Sequence, residues 1–177
     1  MTTEQKANKE FPKVAMLIFI VVLMGVAVYE MLTLDAGLSA REDTGILVAG
    51  GIVGSIGGII GALIGLSIQY AFIKLPTQWL SKEEFVYKNE IWEAIFYSSA
   101  IGTVLNFILR LLNLQTNLLT SSIVSVITAG LFLLIYFSGR EKEVHIKRAI
   151  TIVQIIWIVF GVGLGIVLNI LFADVIV

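Results

Sequence analysis

Apolar residues in this chain come in long unbroken runs, without the alternation of a strand or the stripe of a surface helix. Five runs reach the length of about 20 residues that a bilayer-crossing helix needs, at approximately 14–34, 46–73, 91–114, 118–137 and 149–172. Backbone N–H and C=O groups in hydrocarbon have no water to bond, so each run is expected to be helical throughout. The pattern predicts an all-α, polytopic integral membrane bundle: a short tail over 1–13, then one five-helix domain over 14–177. A membrane β-barrel would show alternation in segments about half as long. The polar stretch Met1 to Glu10 leads into a full-length span without a small-residue cleavage site, so the first span is expected to be retained.

Composition agrees with this picture and narrows it. Of 177 residues, 58% are hydrophobic and 14% charged, too few charges to solvate a water-soluble domain. With 12 Lys and Arg against 13 Asp and Glu, there is no basic field for nucleic acid. The absence of Cys removes disulfides and thiolate chemistry. Ten of the twelve cations fall in the tail and in the loops after the second and fourth spans, leaving Arg41 and Arg110 on the other side. The positive-inside rule then predicts a cytoplasmic N-terminus and an extracytoplasmic C-terminus, in a cell membrane.

Between the second and third spans, Pro76, Trp79 and Leu80 predict a short interfacial turn. Ser81-Lys82-Glu83-Glu84 has the spacing of a capping box, which would start the third helix near Lys82.

The second span is dense in glycine. Gly50, Gly54 and Gly58 form one four-residue series and Gly57, Gly61 and Gly65 another, while Gly161 and Gly165 repeat the device in the fifth span. Glycines four apart share a helix face and let a second helix approach closely, inside the chain or from a partner. A phosphate-binding loop is excluded, because no strand precedes these glycines and no Lys-Ser/Thr follows them.

The third span has a polar seam. Ser99, Thr103, Asn106, Arg110 and Asn113 are spaced to share one helical face. A cation at mid-membrane is costly, at about 2.5 kcal/mol or more, so Arg110 calls for a counter-charge or an exit to the interface. Glu30, near the outer end of the first span, lies at a matching depth, and a Glu30–Arg110 contact is expected. Gln69, Gln154 and Asn169 are further polar residues within spans. His145 is the only imidazole and is expected at the solvated surface. No His-Glu-x-x-His or Gly-x-Ser-x-Gly motif is present, and Glu83-Glu84 lacks the Arg and His-bearing helices of intramembrane CAAX-type proteases. No catalytic residue, metal site or cofactor is predicted.

Five spans, a glycine-rich second span, the segment from Trp79 to Ser99 with its Tyr97-Ser98-Ser99 opening, and the charged loop Gly139 to Arg148 before the last span resemble bacterial members of the Yip1 family. The resemblance implies a non-enzymatic protein that binds membrane helices, sometimes accompanying export or toxin-resistance systems. Eukaryotic members carry a long cytoplasmic N-terminal region associated with vesicle traffic, which is reduced here to about a dozen residues.

Three functions follow as expectations. The first is a scaffold or accessory protein that grips other membrane proteins, or a second copy of itself, through its glycine faces. The second is a small-solute transporter or solute-binding component that uses Glu30, Asn106, Arg110 and Gln154. The third is an immunity protein against a membrane-active peptide.

Overall fold

The structure is a computed structural model that describes residues 10–38, 44–83, 86–114, 118–139 and 141–172, with side-chain surroundings given for these except 34–52, 118–119, 165 and 168–172. Its helices are α1 (Lys13–Leu38), α2 (Thr44–Ser81), α3 (Lys88–Leu111), α4 (Leu118–Ser138) and α5 (Val144–Phe172). All five are long and apolar enough to cross a membrane, and no strand occurs among the described residues. At 1.5 Å per residue the 21 residues of α4 rise about 32 Å, close to the thickness of a bilayer's hydrocarbon core. The chain is a multi-pass membrane protein.

Helices α2, α3, α4 and α5 form a ring in which each packs against its two neighbours, while α1 lies outside against α2 and α3. Among the described residues, the backbones of α3 and α5 make no close approach across the ring, and neither do those of α2 and α4. The core occupies one end of this ring. It draws Ala15 and Phe19 from the start of α1, Leu66 and Ile73 from the second half of α2, Ile91 to Phe96 from the start of α3, Phe132 and Tyr136 from the end of α4, and Ile146 and Ile150 from the start of α5. This basal end is the one the cation distribution predicts to be cytoplasmic. An aromatic stack binds it together: Tyr70 of α2 lies parallel to Trp92 of α3 at 4.5 Å, and Trp92 stacks on Phe96 at 5.3 Å.

The junction between α2 and α3 departs from expectation. The turn predicted at Pro76 is absent, and α2 runs through Pro76 to Ser81. Thr77, next in line, donates its hydroxyl to the Ile73 carbonyl at 2.6 Å, a side-chain bond of the kind that supports helices around proline in membranes. Ser81 caps nothing, because its hydroxyl donates back to Thr77 at 2.7 Å. Lys82 at φ 57° stops α2, and α3 begins at Lys88 after Tyr87 at φ 27°, with no side-chain cap.

Asn113 is also misplaced by the seam reading. It lies beyond α3, at φ 55°, where its N–H bonds the Arg110 carbonyl at 3.0 Å and Leu114 N–H bonds the Leu109 carbonyl at 2.9 Å. That is a Schellman motif with Asn in the left-handed position usually taken by Gly. Asn113 ends the helix and does not extend its polar face.

The glycines divide by role. A Cβ built on Gly102 would come within 2.9 Å of Thr128 Oγ1, so α3 and α4 pack closely at Gly102. At Gly54, Gly57, Gly58, Gly61 and Gly65 an added Cβ meets nothing within 4 Å. Packing within the chain, one of the two uses expected of the second-span glycines, is therefore not what these five serve. The face of α2 that does pack carries Leu66, Ile73 and Thr77, roughly a quarter turn from the row of Gly54, Gly58, Gly61 and Gly65. Gly50 and Gly165 lie outside the residues whose surroundings are described.

These contacts predict opposite responses to the same substitution. Gly102→Val should destabilise the monomer by about 1–3 kcal/mol through overpacking against Thr128, whereas Gly58→Val should leave it unchanged within about 0.5 kcal/mol. Thermal unfolding in detergent separates the two, and equal losses would contradict the division.

Candidate functional site

The ring encloses a cavity of about 310 Å³ to which all four of its helices contribute. Helix α3 supplies Ser98, Ser99, Gly102, Thr103 and Asn106; α4 supplies Ser125 and Thr128 with Ala129 and Phe132; α5 supplies Gln154, Trp157 and Gly161; and α2 supplies Gln69. The cavity exists because α3 and α5 stand apart across the ring, so their facing polar side chains have space between them instead of a partner. No charged side chain lines it.

Several of the lining hydroxyls are already used as donors. Thr103 donates to the Ser99 carbonyl at 2.9 Å, Ser125 to Ser121 at 2.9 Å, and Thr128 to Val124 at 2.8 Å. Gln154 differs from them. It is 2% exposed, and its Nε2 has no hydrogen-bond partner. A buried amide N–H left unpaired costs about 1–3 kcal/mol, which makes it the least settled group in the wall.

The predicted seam is thus partly assembled. Ser99, Thr103 and Asn106 reach the cavity and Gln154 joins them from α5, while Arg110 and Glu30 lie elsewhere. Arg110 Nη1 and Glu30 Oε1 form the expected ion pair between α3 and α1, at the end of the bundle away from the core, with side chains 55% and 39% exposed. The neighbouring edge-to-face contact of Tyr29 and Phe107, at 5.0 Å, holds the same two helices together. Gly161 is cavity wall and has nothing within 4 Å of an added Cβ, so in the fifth span this glycine lines space within the chain. Asn169 lies outside the residues whose surroundings are described.

A second ion pair was not legible beforehand. Lys142, in the charged loop before α5, is buried at the basal end, with Nζ 2.5 Å from Glu90 Oε2 in the first turn of α3. The same ammonium donates to the Tyr136 carbonyl near the end of α4 at 2.5 Å and lies 4.4 Å from the centre of the Tyr136 ring. It therefore satisfies a carbonyl that the end of α4 would leave unpaired, while Glu90 sits favourably at the start of α3. Gly139 permits this arrangement, since a Cβ there would fall 2.6 Å from Glu90 Oε2.

His145 is half-exposed, as expected, yet it is not solitary. Its Nε2 lies 3.2 Å from Glu83 Oε1 and 3.1 Å from Glu143 Oε2, tying the segment after α2 to the start of α5. Comparison with protein-family models, with curated proteins and with solved structures returns no match for this chain.

The two ion pairs should differ sharply in worth. Glu30→Gln removes an exposed pair and should cost about 1 kcal/mol or less. Lys142→Met strands a buried carboxylate and should cost about 3–5 kcal/mol, much of it recovered when Glu90→Gln is added. Denaturation of the three variants in one detergent checks both statements; a Lys142→Met protein as stable as Glu30→Gln would refute the second.

Proposed function

We propose that this chain is a non-enzymatic, membrane-embedded accessory protein that docks a helix of another membrane protein, or of a second copy, on the glycine face of α2. The observation that carries this reading is the open space at every described glycine of that row. Glycine in a helix costs up to about 1 kcal/mol relative to Ala. No contact within the chain offsets that loss at Gly54, Gly58, Gly61 and Gly65, whereas a helix laid along the row would gain close backbone contact. The flanking residues Val53, Ile64 and Ile68 are all more than half exposed and would widen such a contact.

The resemblance to Yip1-family proteins points the same way, because it implies helix binding without catalysis. An immunity protein would use the same face toward a membrane-active peptide, and partner mass distinguishes it.

A photo-crosslinking residue placed at Ile64, which borders the row and is exposed, tests the proposal in native membranes. The expected result is a discrete protein adduct that Gly54→Leu with Gly58→Leu abolishes, while the monomer's melting temperature stays within a few degrees of wild type. Crosslinks to lipid alone, or an adduct indifferent to the double substitution, would overturn it.

A further inference from the structure

The cavity on the ring axis has a hydrogen-bonding pattern of its own. A carbonyl oxygen can only accept, so the protons of the Thr103, Ser125 and Thr128 hydroxyls are committed to their own helices. What these three groups can still offer is lone pairs. Gln154 offers the opposite: an N–H donor, buried, without a partner, in the wall of the same cavity.

A wall with acceptor oxygens on Thr103, Ser125 and Thr128, donors on Gln154 and the Trp157 indole, and Gln69, Ser99 and Asn106 able to do either is complementary to a small molecule that both donates and accepts. Charge narrows the class further. No carboxylate or cation lines the space, and Glu30 and Arg110, the ionised residues that the seam reading brought nearest, neutralise each other outside it. A charged ligand would have to leave its hydration shell in the membrane interior without a counter-charge. At about 310 Å³ the space is at the small end of ligand pockets, and Trp157 and Phe132 provide an apolar wall against which a flat or aliphatic body can rest.

We infer that the ring cavity binds a small uncharged solute of the carboxamide or polyol kind, accepting a hydrogen bond from Gln154 and donating to the hydroxyl oxygens of Thr103, Ser125 and Thr128. The cavity adjoins the glycine row of α2, whose four-residue spacing from Gly61 and Gly65 continues to the lining residue Gln69, and solute titration on the purified chain reads the cavity alone, without a docked helix.

The test is titration calorimetry on the full chain in lipid nanodiscs, with nicotinamide, lactamide and glycerol set against nicotinate, lactate and glycerol 3-phosphate. At least one neutral probe should bind, and its charged counterpart should bind about ten-fold more weakly or not at all. Gln154→Met should weaken that binding about five- to ten-fold. The same variant should raise the melting temperature, because it removes an unpaired buried donor and keeps the side chain's length. Ser125→Ala, at an exposed lining position, should weaken binding in the same order and serves where Gln154→Met fails to fold. Absence of binding by every neutral probe overturns the site. Equal binding of neutral and charged partners overturns the ligand class. A lowered melting temperature for Gln154→Met, with binding unchanged, assigns the amide to packing and overturns its role.

Discussion

The basal end of the bundle depends on one buried ion pair. Lys142 reaches from the loop between α4 and α5 to Glu90 at the start of α3, and on the way it satisfies the Tyr136 carbonyl near the end of α4. One ammonium thereby fixes three of the four ring helices relative to one another. Two isolated charges taken out of water would destabilise the fold; here each is paired and each also sits at the helix end whose partial charge it complements. Gly139 suits the same geometry, since a Cβ there would crowd the Glu90 carboxylate and the Lys142 ammonium.

With the basal end fixed, the rest of the ring is free to be less tightly closed. Lipid tails are as apolar as Leu or Ile, so apolar side chains in the outer half gain little by leaving lipid for one another. Approach there has to come from small residues and polar contacts. Gly102 against Thr128 supplies it for α3 and α4, and Glu30 with Arg110 supplies it for α1 and α3. Nothing equivalent joins α3 to α5, and the cavity lies between them.

Much of this was readable from residues, and the failures have physical causes. The five spans were legible because continuous apolar length is a strong constraint in lipid. The Glu30–Arg110 pair was legible because an intramembrane cation needs relief and Glu30 lay at a similar depth. Ser99, Thr103 and Asn106 were correctly grouped by helical spacing, but Asn113 was not, because a left-handed stop leaves no mark in the spacing of polar residues. The α2–α3 junction was misread because Ser81 has the residue type of an N-cap while its hydroxyl bonds backward to Thr77. Glycine density drew attention to α2, whereas the tightest contact of a helical glycine among the described residues is at Gly102. The Ser98-x-x-x-Gly102 spacing was the available signal for it. Burial of Lys142 had no signal, since the loop from Gly139 to Arg148 reads as uniformly solvated charge.

The open ring and the open glycine row are consequences of the same solvent. In water, a void of this size between helices would collapse or fill, because exposed apolar walls are driven together. In a bilayer that drive is absent, and closing the ring would press the polar residues of α3 and α4 onto the α5 wall, where only Gln154 and the Trp157 indole N–H could answer them. Those residues therefore gain few partners by closing onto α5, just as the lack of side chains on α2 leaves its glycine face unfilled from within. Each opening persists for want of a complementary group inside the chain: polar partners on α5, and a closely fitting helix surface on α2.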